Sequence, residues 1–289
     1  MSQHPDSPPR TPAPSARQPT VEAEFLRLCE IMRILRGPGG CPWDHEQTWT
    51  TLAPFVLEEA CEVLDAIDRH DVDGVCEEIG DLIFEGVFLA QVASDEGHFT
   101  LRDALRTVSD KLVRRHPHVF EQDDEAHGPS REHVKTPGQV VAQWQEIKAR
   151  ERKTSGRERQ SVLDAVPTSL PSLPRAEALG SRAAKVGFDW TSAESVLDKV
   201  EEELRELRAE QAPDRHSART EEVGDLLFAV AQYARKAGID ADAALRAANR
   251  KFTSRFTALE DAVRDTNRAV NELSSIELND IWDRVKAEG

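Results

Sequence analysis

An all-α fold in two tandem four-helix-type units is predicted from three features of the sequence. Ala, Leu, Glu and Arg dominate long stretches with a period near 3.6 residues. Only 6% of residues are aromatic and alternating Val/Ile/Thr/Tyr runs are few, so there is little from which to build strands. The third feature is a set of motifs that occurs twice in the same order.

The repeat is carried by acidic blocks. Glu58-Glu59-Ala60-Cys61-Glu62 and Glu202-Glu203-Leu204-Arg205-Glu206 both read E-E-x-x-E, at an offset of 144 residues. In each copy 15 residues separate this block from an E-x-G-D block, Glu78 to Asp81 in one and Glu222 to Asp225 in the other. Trp43-Asp44 precedes the first pair of blocks and Asp189-Trp190 the second. Ala104-Leu105-Arg106 leads to Lys111 and Arg115, as Ala244-Leu245-Arg246 leads to Lys251 and Arg255. Each copy closes on W-x-x-x-K, Trp144 with Lys148 and Trp282 with Lys286. Chance supplies one such block in an acidic chain, but not six features in a shared order.

The 289 residues accordingly divide into a proline-rich tail (1–20), a first domain (21–150), a charged connector (151–162) and a second domain (163–289). The tail holds six of the 16 prolines and lacks an apolar signal core, which predicts a disordered segment. Helices are expected over 21–36, 51–69, 72–95, 100–115 and 139–152 in the first domain. The second is expected to form them over 175–185, 192–210, 215–237, 241–263 and 275–286. Gly37-Pro38-Gly39-Gly40 stops the first helix, and Gly97 and Gly238 end later ones.

Composition narrows the partners. With 37 Lys and Arg against 53 Asp and Glu the net charge is −16, and such a chain repels a nucleic-acid backbone. The longest apolar run, 82–93, is too short to span a bilayer and contains Glu85, so no membrane association is expected. Cys29, Cys41, Cys61 and Cys76 form no C-x-x-C pair and are expected to be free thiols, which points to a reducing cytoplasm.

Residues three and four apart share a helix face, so Glu59 and Glu62 point together, as do Glu78 and Asp81, Glu203 and Glu206, and Glu222 and Asp225. If the two acidic helices of each copy pack as antiparallel neighbours, their carboxylates meet beside the core. Like charges at that range repel or take up protons unless a cation joins them. Oxygen-only donors favour Mg²⁺ or Mn²⁺, and the absence of E-x-x-H speaks against a di-iron bundle. Lys111 and Arg115, and Lys251 and Arg255, are i,i+4 cation pairs that suit a polyphosphate, although such residues also complement a helix dipole. Trp144 and Trp282 fit either a stacking surface or a core position. His116, His118, His127 and His133 lie among acids at irregular spacing and are assigned no chemistry.

The segments CPWDHEQTW, FVLEEACEVLDAI, EEIGDLIFEGVF and DKLVRRHPHVF resemble the MazG family of nucleoside triphosphate pyrophosphohydrolases. So do SVLDAVPTSLPSL, KVGFDW, EEVGDLLFAVAQYAR and residues 248–256. The resemblance covers nearly all of the chain after the tail. It implies tandem all-α domains, usually assembled as a dimer, that hydrolyse an NTP or dNTP to the monophosphate and pyrophosphate with Mg²⁺. By the same resemblance the metal ligands are Glu59, Glu62, Glu78 and Asp81 in one copy, and Glu203, Glu206, Glu222 and Asp225 in the other. Glu58 and Glu202 would orient water as catalytic residues, and Lys251, Arg255, Trp282 and Lys286 would hold the nucleotide. Cys61, where an aromatic is common, and the charged segment 209–220 depart from the pattern without removing a ligand. A different class of function, a nucleotide-sensing or protein-binding helical scaffold with little catalysis in one half, fits the same repeated unit.

Overall fold

The computed structural model describes residues 20–120, 136–154, 160–212 and 214–288. The expected disordered tail, apart from Thr20, and His127 and His133 lie outside them. Eleven α-helices and no strand occur among the described residues, so the all-α class holds. The chain separates into two compact units, residues 1–151 and 152–289.

Unit 1 contains α1 (Val21–Arg36), α2 (Pro42–Glu46), α3 (Trp49–Asp68), α4 (Val72–Asp95), α5 (Leu101–Arg115) and α6 (Pro137–Thr154). Its caps follow from the local sequence. Thr48 and Thr51 form a capping box at the start of α3, Asp71 accepts from Gly74 N to start α4, and Thr100 with Asp103 caps α5. The core gathers Met32, Leu52, Val87, Phe88 and Val92, with α1 and α3 packed on α4. The α2 turn was not expected, because five residues are too few to show a period. Pro42 opens it, and Arg36 holds it by donating to the carbonyls of Asp44 at 2.5 Å and Gln47 at 3.1 Å.

Unit 2 contains α7 (Ser172–Ala184), α8 (Ala193–Ala209), α9 (His216–Ala237), α10 (Ala241–Arg264) and α11 (Ser275–Glu288). A Ser192–Ser195 capping box opens α8, and Gly238 closes α9 with a φ of 72°, a conformation that favours glycine. Asp189 accepts from Arg235 at 2.6 Å and Lys236 at 2.7 Å, which ties the turn before α8 to the end of α9. Two hydrogen bonds from these cations hold its carboxyl well below the usual range. Leu259, Val263 and Ile281 form the apolar contact between α10 and α11, while α7 packs on α9 through Gly180.

No helix among the described residues is long and apolar enough to cross a membrane. All four cysteines are free thiols. Several large apolar side chains are exposed in the single chain, among them Ile67, Ile79, Ile83, Leu204, Leu227 and Val230.

Gly180 is required by the contact it makes. A Cβ there would overlap the amide of Gln232, which is fully buried and donates to the Ala176 carbonyl at 2.7 Å. Gly180→Ala is therefore expected to destabilise unit 2 by about 1–3 kcal/mol. The change would register as a lower denaturant midpoint at an unchanged slope in equilibrium unfolding.

Candidate metal centre

Each acidic cluster is built on two packed helices. In unit 1, Glu59 lies nine residues before the end of α3 and Asp81 nine residues after the start of α4, while Glu62 and Glu78 each lie six from the same turn. Equal distances from the turn of an antiparallel hairpin mean equal heights, so each acid has a carboxylate opposite it. Glu59, Glu78 and Asp81 bring one oxygen each to within 4.8 Å of one another. Glu62 is exposed and its charge acts on Glu78, so it stands beside the triad rather than in it.

The electrostatics are those of an uncompensated cluster. Burial, then the charges of Glu62, Asp81 and Glu58, pushes the Glu59 carboxyl up. Burial, then Glu62, does the same to Glu78. The Oε2 atom of Glu59 is buried without a hydrogen-bond partner. A fifth acid of α4, Glu85, is 5% exposed, and its Oε2 is likewise without a partner. Burial raises its pKa first, and then the charges of Glu59 and Asp81.

In unit 2 the α8–α9 pair brings Glu203, Glu222 and Asp225 together within the same 4.8 Å, again with the fourth acid, Glu206, exposed beside them. Burial and the neighbouring Glu206, Glu203 and Asp225 push Glu222 up. This cluster contains a cation that sequence reasoning missed. Lys199 donates to Glu202 Oε1 at 2.8 Å and to Glu203 Oε1 at 2.6 Å, and those hydrogen bonds hold its ammonium well above the usual range and the Glu202 carboxyl below it. Its i,i+4 spacing to Glu203 was the available signal. Arg205, inside the motif, donates instead to the Glu201 carbonyl at 3.2 Å.

Oxygen-only donors at this separation, with a buried carboxylate oxygen lacking any partner, fit a hard divalent cation. The unit 1 triad and the exposed Glu58 would serve one such centre, and the unit 2 triad with Glu202 the other.

The cation pairs differ between the units. Arg115 donates to Glu151 Oε2 at 2.6 Å and shares that carboxylate with Arg114, while Lys111 is half-buried. Lys251 and Arg255 of α10 have no ion-pair partner among the described residues. Beside them Phe252 stacks on Phe256 and packs against Trp282, with ring centroids 5.5 Å apart in the second pair. These rings, Leu259, Val270, Leu278 and Asn279 line a cavity of about 230 Å³. Lys286 is 3.5 Å from Asp283. In unit 1, Trp144 packs edge-on against His116 and carries Lys148 over its ring at 5.8 Å. His118 contacts Gln143 at 3.0 Å.

The family model for the MazG nucleotide pyrophosphohydrolase domain matches residues 47–120 and 191–258, which bracket the two acidic hairpins. The chain is 44% identical over 265 residues to the nucleoside triphosphate pyrophosphohydrolase of Escherichia coli, an alignment spanning 91% of this chain and 97% of that protein. This chain belongs to the MazG family. The Thermotoga maritima protein named nucleoside triphosphate pyrophosphohydrolase/pyrophosphatase MazG is 38% identical over 262 residues, covering 91% of this chain and 95% of the relative. A crystal structure of a MazG-related protein from Thermotoga maritima aligns at 30% identity and a TM-score of 0.35, over 43% of this chain and 98% of the other.

The MazG clusters predict a reversed pH dependence of stability in the absence of metal. Glu59, Glu78, Glu85 and Glu222 hold a proton more tightly folded than unfolded. Their contribution is complete below the ordinary value of 4.5 and is lost as pH rises through the raised folded values. Glu202 and Asp189, shifted the other way, lose their contribution only as pH falls below that range. Thermal melts in EDTA should therefore fall as pH rises above the ordinary carboxylate range, and added Mg²⁺ should abolish the decline by favouring the ionised carboxylates.

Proposed function

We propose that this MazG protein hydrolyses ribo- or deoxyribonucleoside triphosphates to monophosphate and pyrophosphate with Mg²⁺, Mn²⁺ serving as a substitute. In this reading the C-terminal half is the more active, and the role is control or house-cleaning of the nucleotide pool. The observation that carries the reading is the unit 2 triad of Glu203, Glu222 and Asp225, with Lys251 and Arg255 uncommitted to any carboxylate among the described residues.

A divalent cation bound by these acids would neutralise phosphate oxygens and lower the pKa of a coordinated water. Glu203, Glu222 and Asp225, with Glu206 beside them, would supply its ligands. Glu202 is kept ionised by Lys199, so it is competent to accept the proton of an attacking water. Lys251 and Arg255, one helical turn apart, would balance the charge of the triphosphate, with Lys286 as a further cation. Trp282 and Phe252 offer the base an aromatic wall. No covalent intermediate is needed.

The first copy is less ready for a triphosphate, because its Arg115 is engaged by Glu151. That ion pair favours the second reading for this half alone, a binding scaffold in which Glu58, Lys111 and Arg115 do little catalysis. Unit 1 would then hold metal without rapid turnover.

Replacing Glu206 or Asp225 with Ala should lower pyrophosphate release from an NTP and Mg²⁺ on the order of 100-fold or more. Replacing Glu62 or Asp81 should lower it far less. Full activity in a protein lacking the acids of both halves would end the assignment.

We further propose a homodimer as the working form, supported by the exposed Ile67, Ile79 and Ile83 of unit 1 and Leu204, Leu227 and Val230 of unit 2. Light scattering on purified protein should return twice the 32.2 kDa chain mass, and a monomer at micromolar concentration would contradict this.

A further inference from the structure

The two copies differ at a pair of positions that the repeat places at the same height. Phe55 lies one helical turn before Glu59 on α3, and Glu85 one turn beyond Asp81 on α4. In an antiparallel hairpin these displacements run the same way, away from the connecting turn. The 144-residue offset puts Lys199 and Ala229 at the corresponding places in unit 2. One copy therefore carries an apolar ring and an extra acid where the other carries a cation and a methyl group.

The neighbouring atoms respond to that exchange. In unit 2 the ammonium of Lys199 is 2.6 Å from Glu203, the counterpart of Glu59. In unit 1 no such cation is present among the described residues, and the Oε2 atoms of both Glu59 and Glu85 are buried without partners. Glu85 is 5% exposed, one helical turn beyond Asp81, and the charges of Glu59 and Asp81 act on its carboxyl. Counting the five motif acids of each copy together with Glu85 and Lys199, the formal charge is −6 in unit 1 and −4 in unit 2. A buried carboxylate with a free oxygen beside two others is a strongly unfavourable arrangement unless a cation completes it.

We propose that Glu85, with Glu59 and Asp81, forms a second divalent-cation position in unit 1, in addition to the Glu59–Glu78–Asp81 centre, and that the Lys199 ammonium replaces this cation in unit 2. Glu59 and Asp81 would bridge the two positions, one oxygen to each, as carboxylates of paired-metal sites do. The N-terminal half is then a metal-rich site that loads without nucleotide, and the C-terminal half takes one cation fewer. This rests on the reading that the acidic triads hold divalent cations.

The test counts Mn²⁺ bound to the full chain by electron paramagnetic resonance, without nucleotide. A chain with Glu203→Gln and Asp225→Asn reports unit 1 alone, and one with Glu59→Gln and Asp81→Asn reports unit 2 alone. The first should bind two ions and the second one, and Glu85→Gln in the first should remove one equivalent. In the second, Lys199→Leu with Ala229→Glu should add one. Equal counts in the two chains, or a count and affinity unchanged within about twofold by Glu85→Gln, would overturn the inference. The comparison of the two parent chains decides the matter even if Glu85→Gln fails to fold. Absence of Mn²⁺ from both would instead sink the underlying metal reading.

Discussion

The constraint on which this protein turns is the crowding of carboxylates on two packed helices beside an apolar core. Glu59, Glu78 and Asp81 share one small volume in unit 1, and Glu203, Glu222 and Asp225 share another in unit 2. Water cannot screen such groups well once they are half-buried, so each hairpin either takes up protons or attracts cations. Fold and function are coupled at that point. The capped, closely joined helices that make the hairpin stable are also what hold like charges together.

Duplication allowed the two copies to meet the constraint differently. The core position Leu52 and its counterpart Val196 are both fully buried, so the packing scheme is shared. The surroundings of the acids are not. Lys199 places an internal cation on Glu203 in unit 2, whereas unit 1 adds Glu85 and leaves two buried oxygens unpartnered. Glu151 ties down Arg115, while Lys251 and Arg255 have no carboxylate among the described residues. On the proposed reading, one copy would favour cations and the other an anionic ligand carrying its own cation.

In the proposed reading, the apolar cavity lined by Phe252, Phe256 and Trp282 would serve the rest of a nucleotide whose phosphates Lys251 and Arg255 hold. Phe252, Phe256 and Trp282 supply flat faces, and Asn279 supplies a polar edge. Stacking on such faces is tolerant of base identity, so selectivity would depend on the few polar groups at the rim.

Much of the fold was legible from periodicity and punctuation, because the 3.6-residue pattern and the capping residues are local properties. The expected helices over 21–36 and 72–95 coincide with α1 and α4, and most other ends differ by one to three residues. The α2 turn escaped because what holds it is Arg36, contributed by another helix. The acidic motifs and their duplication were visible in the chain alone, since i,i+3 and i,i+4 spacing sets which side chains share a face. Sequence could not say that three acids of each four converge, that Glu85 lies buried behind them, or that Glu151 occupies Arg115 while Lys199 reaches Glu203. Those outcomes depend on distances between helices and on the removal of water. Only tertiary packing decides them.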